Sequence, residues 1–209
     1  MSSLRKEVSM GFTRDPFPEG THMCLIYDNE EQRKKIISRF MATGIAMGEQ
    51  VGYFADTTAP QEVKAWMEEM VVKLPEERED KRFNIFRAER VYCPTGKFVP
   101  SEMLARLGDC YERAVDAGYA GARVSGEMSW ALKGIPGSDR LMEYEALINT
   151  ISEIHPVTPI CQYDARCFDG ATLLNVLKVH PLMIVQGQIV RNPYYMAPQE
   201  FLAEFNSSR

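Results

Sequence analysis

The chain has 209 residues, of which 45% are apolar and 25% charged, with a formal net charge of −5. Those values exclude a disordered or low-complexity chain and fit one full-sized α/β domain. Lys and Arg are scattered and outnumbered, which argues against direct nucleic-acid binding, and no apolar run approaches the roughly 18 residues that a membrane span needs.

The start, Met1-Ser-Ser-Leu-Arg-Lys-Glu, has no apolar core of a signal segment, so a cytoplasmic location is expected. Residues 1–19 read as an N-terminal arm carrying Pro16 and Pro18, and residues 20–209 as a single domain. Met23-Cys-Leu-Ile-Tyr27 is a short apolar run of strand type. Asp28 and Asn29 stop it and can cap a helix on which Ile36, Ile37, Phe40, Met41 and Ile45 recur at helical spacing, ending near Gly48. Val51 to Ala55 is a second strand. Pro60 opens a helix with Val63, Trp66 and Met70 on one face. The charged stretch Lys73 to Arg82 reads as a solvated connection, and Phe83 to Arg87 as a third strand.

Val91 to Pro100 reads as a loop. A helix through Met103, Leu104, Leu107, Tyr111 and Val115 stops at Gly118, and Ala122 to Glu127 is a fourth strand. Trp130 to Gly137 is a Gly/Pro-punctuated loop. Ser138 or Asp139 is the expected cap of a helix through Tyr144, Leu147, Ile148 and Ile151. Pro159 to Tyr163 is a fifth strand, and Asp169 starts a helix through Leu173, Leu174 and Leu177. Leu182 to Val185 and Gln188 to Val190 form a strand pair about Gly187, and Pro198 to Phe205 a last helix. Alternating strands and helices predict a mainly parallel sheet covered on both faces. The last two strands are too close for a crossover and predict an antiparallel C-terminal edge.

A P-loop would follow the first strand as GxxxxGK[ST]. That turn instead reads Tyr27-Asp-Asn-Glu-Glu-Gln32, whose carboxylates suit a helix start and repel phosphate. A Rossmann GxGxxG is also absent. Ordinary nucleotide hydrolysis is therefore not expected; a degenerate nucleotide-binding role stays open as an alternative.

Four groups carry candidate chemistry. His22 and Cys24 share one strand face, with Tyr27 on the other or at the strand's end. They read either as a buried histidine beside a packed cysteine or as part of a soft metal or reactive-thiol site, with Cys161 as a further ligand. Glu127 and Trp130 end the fourth strand, where open α/β sheets bind ligands. Tyr163 and Asp164 end the fifth, with Asp164 either facing a ligand or paired with Arg166. His180-Pro181 and Asn192-Pro-Tyr-Tyr195 enforce extended geometry near the end. The five cysteines (Cys24, Cys93, Cys110, Cys161 and Cys167) contain no CxxC pair, so neither a disulfide framework nor a zinc ribbon is expected.

Taken together, Gly20-Thr-His-Met-Cys-Leu-Ile-Tyr27 with Glu31 resembles the H-x-C-x-x-Y signature of the MEDS family, the methanogen/methylotroph DcmR-type sensory domain. Arg123 to Trp130, Glu143-Tyr-Glu145, Cys161 to Asp164, Phe168-Asp169, His180-Pro181, Asn192 to Tyr195 and Glu200-Phe-Leu202 resemble its later blocks, so the likeness runs from Gly20 to Leu202. It implies a three-layer RecA/KaiC-like fold without a working P-loop, with the first strand between the fourth and fifth. It implies a non-catalytic module that senses a small, hydrocarbon-derived molecule at the strand ends, gathered around His22, Cys24, Tyr27, Glu31, Glu127, Trp130, Tyr163 and Asp164. No cofactor is predicted; a metal on His22, Cys24 and Cys161 is the alternative. Such domains are often fused to a kinase or DNA-binding module, and none is recognised here. The output is therefore expected through a separate signalling or DNA-binding protein, or through a homo-oligomer.

Overall fold

The computed structural model describes residues 5–70 and 81–207. Among the described residues, nine strands and seven α-helices follow in chain order. The strands are β1 (Glu7–Val8), β2 (Phe17–Pro18), β3 (Met23–Tyr27), β4 (Gln50–Ala55), β5 (Phe83–Arg87), β6 (Ala122–Glu127), β7 (Thr158–Asp164), β8 (Leu182–Val185) and β9 (Gln188–Arg191). The helices are α1 (Glu30–Ala46), α2 (Pro60–Glu69), α3 (Ala88–Tyr92), α4 (Pro100–Asp116), α5 (Leu141–Ile151), α6 (Gly170–Val179) and α7 (Pro198–Ser207).

Seven strands form one sheet in the order β5-β4-β6-β7-β3-β8-β9. All neighbours are parallel except β8 and β9. The predicted α/β class and antiparallel edge are therefore present. The expected strand order needs correction: β3 lies between β7 and β8, while β7 occupies the place between β6 and β3. The reason is legible in β7 itself, Thr-Pro-Ile-Cys-Gln-Tyr-Asp, buried over its first six residues and so suited to a central position paired on both edges. Cys24 still faces Cys161 in register.

Period-2 alternation splits the core into two layers. Met23, Leu25 and Tyr27 join Val51, Tyr53 and Ala55 under Ile36, Ile37, Phe40 and Met41 of α1 and Val63, Trp66 and Met67 of α2. Cys24, Val124, Cys161 and Tyr163 face the opposite side, under α4 to α7. α1 starts where expected: Asn29 caps it, its side chain accepting from Gln32 N at 2.9 Å. Asp169 caps α6 in the same way, through Thr172 N at 2.8 Å. The β8–β9 turn has positive φ at both Gln186 (49°) and Gly187 (74°), the signature of a tight two-residue hairpin.

Three local expectations are corrected. Val91 and Tyr92 end a short helix, α3, rather than opening a loop. Of the stretch Trp130 to Gly137 read as a loop, the first residues belong to a 3-10 helix over Met128–Lys133, and residues 134–137 form the loop. α5 begins at Leu141 without a side-chain cap; Ser138 and Asp139 lie in a preceding 3-10 turn, and Arg140 instead pairs with Glu143 at 2.7 Å. The connection from Lys73 falls mostly outside the described residues. Residues 7–18 of the arm fold as the β1–β2 hairpin, and Val8 and Met10 are buried in the α1-side core.

Gly44 shows how tightly α1 sits on the sheet. A Cβ there would stand 2.5 Å from Arg123 Cδ and 2.9 Å from Val51 Cγ2. Both neighbours are buried, so neither can swing away. Gly44→Ala is expected to destabilise the fold by about 1–3 kcal/mol, read as a lower denaturant midpoint at unchanged slope, despite alanine's better helix propensity.

Candidate functional site

A strand of five residues separates its two ends, from the Cα of His22 to that of Tyr27, by about 16 Å. The residues expected to share one pocket are divided by that length. His22, Cys24 and Tyr163 lie on the α5/α6 side, His22 at the amino end of β3. Tyr27, Glu31, Glu127 and Asp164 lie at the carboxyl end. Trp130 joins neither group: it is fully buried, stacked on Tyr92 at 4.8 Å, and belongs to the core.

At the carboxyl end Glu127 is a clasp. Its Oε2 accepts from the backbone N–H groups of Asp56 (2.9 Å), Thr57 (2.6 Å) and Thr58 (3.1 Å) and from Thr57 Oγ1 (3.0 Å). Its Oε1 accepts from Tyr53 Oη at 2.6 Å, with Arg33 Nη1 at 3.4 Å. Arg33 also reaches Gln162 Oε1 (3.2 Å) and Thr58 Oγ1 (2.9 Å). Burial opposes the Glu127 charge, but these donors and Arg33 outweigh it and hold the carboxyl at about 2. Every oxygen of Glu127 is thus engaged in fixing the β4–α2 loop. Asp164 is equally committed, paired with Arg166 at 2.6 Å, and Arg166 continues to Glu30 at 2.6 Å. Glu31 is exposed and edges a cleft of about 340 Å³ with Glu30, Glu62 and Lys34.

At the amino end lies a larger cleft of about 580 Å³. Its walls include Phe17 and Pro18 of β2, Pro181 and Leu182 at the start of β8, and Ile189 of β9; Arg5, Arg191 and Glu153 supply charge. His22 and Asn149 form part of its wall. Behind them sits a sealed polar cluster. His22 Nδ1 is 3.1 Å from Asn149 Oδ1, and its Nε2 is 3.2 Å from Glu145 Oε2 and 3.5 Å from Cys161 Sγ. His180 Nε2 is 3.3 Å from the same Glu145 oxygen, and its ring lies 4.1 Å from that of His22. Tyr163 donates to Glu145 Oε1 at 2.9 Å. One donor atom each from His22, Glu145, Cys161 and His180 falls within 4.8 Å of the others.

Burial, helped by the neighbouring His180, lowers the His22 pKa to about 4, so its imidazole is neutral near pH 7. Burial opposes charge on Glu145 too, but the contacts with His180 and His22 hold it below the usual carboxylate range. Burial pushes the Cys24 thiol up to about 12. Its sulfur faces Leu182 O at 3.9 Å, outside the cluster. A protonated, buried thiol is a poor nucleophile, which weighs against the thiol-reactive alternative, and Cys24 is not among the residues whose donor atoms converge here.

Sequence reasoning named His22 and Cys161 as ligands, noted Glu145 and His180 only as motif blocks with no ligand role, and passed over Asn149. A signal was present. Glu145 sits four residues after Leu141 and three before Ile148 on the apolar stripe of α5, where a carboxylate needs a partner.

The sheet order and layers define the class of domain. A KaiC-like protein from Pyrococcus horikoshii OT3 superposes with TM-score 0.60 at 14% identity, over 86% of this chain and 79% of that one. The flagellar accessory protein FlaH from Methanocaldococcus jannaschii superposes with TM-score 0.61 at 12% identity, over 92% and 89%. The chain therefore has a KaiC-like fold, with an acidic turn after its first central strand. More particularly, it belongs to the MEDS family, the MEthanogen/methylotroph, DcmR Sensory domain, whose description matches residues 21–181. A curated relative, the transcriptional repressor DcmR of Methylorubrum extorquens, is 27% identical over 160 residues, 76% of this chain. The matched segment spans 57% of that relative's length. No helix among the described residues is long and apolar enough to cross a membrane.

Proposed function

We propose that this chain is a non-catalytic regulatory module that senses a small, hydrocarbon-derived molecule in the amino-end cleft. The cleft carries the reading. Its volume is in the range of small-molecule sites, and its apolar walls face a few convergent polar groups. Arg5 and Arg191 favour a ligand with an apolar body and an anionic or hydrogen-bond-accepting end. Membership of a sensory family and a transcriptional-repressor relative support the regulatory role, and we assign its output to a signalling or DNA-binding partner. A ligand touching both β2 and the β8–β9 hairpin would shift the balance between arrangements of these elements, the surface such a partner reads.

The test is thermal denaturation with a panel of short-chain alcohols, aldehydes and carboxylates. At least one compound is expected to raise the melting temperature of the chain, by about 5–10 °C at a hundredfold excess over Kd. Leu182→Trp, which fills the cleft, is expected to abolish that shift. Equal stabilisation of both chains contradicts the cleft assignment, and no stabilisation by any compound contradicts the ligand class. Consumption of the ligand, followed by mass spectrometry, contradicts the non-catalytic reading.

A further inference from the structure

We propose that His22, Glu145, Cys161 and His180 form a closed four-ligand site for one zinc ion. The site stands independently of the small-molecule reading, because its occupancy is measurable without any organic ligand.

The tautomers carry the argument. Asn149 Nδ2 donates to Ala146 O (3.2 Å) and Val179 O (2.8 Å), which turns Oδ1 toward His22. That oxygen only accepts, so the His22 Nδ1 at 3.1 Å holds the proton. The His180 Nδ1 lies 2.7 Å from Val176 O, which likewise only accepts. Both rings therefore have Nδ1 engaged by an oxygen and turn Nε2 toward the same carboxylate oxygen. His180 Nε2 is buried and has no hydrogen-bond partner among the described residues. A cation among these donor atoms would satisfy the His180 Nε2 and the carboxylate together.

Three of the six separations match the cation, and all of them stay within 4.8 Å. Zinc bonds of about 2.0–2.1 Å to N or O and about 2.3 Å to S place tetrahedral ligands about 3.3 Å apart, or about 3.6 Å when one is sulfur. The separations are 3.2 Å (His22 to Glu145), 3.3 Å (His180 to Glu145) and 3.5 Å (His22 to Cys161). The outer partners match as well: each histidine's Nδ1–H is held by an oxygen, and Glu145 Oε1 is held by Tyr163. Charge also balances. Zn²⁺ with a Cys161 thiolate, a Glu145 carboxylate and two neutral imidazoles is neutral overall, as a buried site requires. On binding, the Cys161 S–H bond breaks, sulfur keeps the electron pair and bonds zinc, and the proton leaves to solvent. With four protein ligands no position stays open for substrate, so the ion ties β3, α5, β7 and the α6–β8 junction together. His22 and Asn149 border the cleft, which supplies the entry path.

The test is metal analysis of the full chain, stripped with a chelator and reloaded with Zn(II) or Co(II) alone. One equivalent is expected to survive dialysis. The cobalt form is expected to show tetrahedral visible bands and a near-ultraviolet thiolate-to-metal band. Cys161→Ser should lose that ultraviolet band. Asn149→Ala, which removes only an outer partner, should weaken zinc about 10–100-fold with the spectrum kept. Circular dichroism checks that each variant is folded; if either is not, the spectrum and stoichiometry of the unaltered chain decide alone. A folded chain that retains no stoichiometric metal overturns the proposal. So does a cobalt spectrum without the thiolate band, or one that Cys161→Ser leaves unchanged.

Discussion

Glu127→Ala is expected to destabilise the fold by about 3–5 kcal/mol, the cost of leaving a buried charge without its partner. Arg33 would remain buried, with Glu30 as its one remaining carboxylate, at 2.7 Å on the exposed side. Tyr53 and three backbone N–H groups would lose their acceptor as well. The same carboxylate gives the wild-type chain a defined acid sensitivity. Its folded-state pKa of about 2 lies below the ordinary 4.5. A depressed acid stabilises the fold fully above its unfolded pKa and loses that contribution as pH falls toward the folded value. About 3 kcal/mol should therefore disappear between pH 4.5 and 2. Glu127→Gln, nearly the same shape, is expected to flatten this acid limb in guanidinium titrations. A variant with the same acid slope as wild type would show that Glu127 is not the clasp.

Arg123→Leu is expected to cost a similar amount, again about 3–5 kcal/mol, with a different local signature. Arg123 is fully buried and pairs with Glu49; its Nη1 donates to Phe40 O at 2.9 Å and its Nη2 to Ser9 O at 3.2 Å. One side chain thus joins β6, α1 and the N-terminal hairpin. Its loss should make residues 5–18 the first site of proteolytic cleavage. The double variant Arg123→Leu with Glu49→Leu should recover most of the lost stability, because replacing both partners by apolar groups removes the stranded charge. Single and double variants of equal stability would contradict this account of the pair.

The fold was largely legible because its strands are short apolar runs separated by caps and glycines that act locally. Asn29, Asp169 and Gly187 each work within a few residues of themselves, so their roles follow from the sequence. What escaped depends on distant partners. α3 is a single short helix whose Tyr92 stacks on Trp130, far along the chain. The position of β7 is set by pairing with strands on both sides, which spacing along one chain does not reveal. The candidate site shows the same division. His22 stood out as a lone histidine beside a cysteine. Glu145 and His180 stood in motif blocks of their own, and their convergence on His22 came only when the fold carried them across more than a hundred residues of chain, as the 123-residue separation of His22 and Glu145 shows. The H-x-C-x-x-Y run resembled one family motif, yet its members split: His22 turns toward α5, while Tyr27 turns toward Arg33, whose guanidinium lies 4.9 Å from its ring.

Amide chemical-shift mapping tests the central claim most directly. The stabilising compound from the panel is titrated into isotope-labelled chain and the moving resonances are assigned. The shifts are expected to cluster at residues 17–22, 149–153 and 181–195, around the amino-end cleft. Shifts gathered instead at residues 28–33, 57–58 and 127 would place the ligand where a KaiC-like sheet presents its carboxyl edge, and would contradict the account.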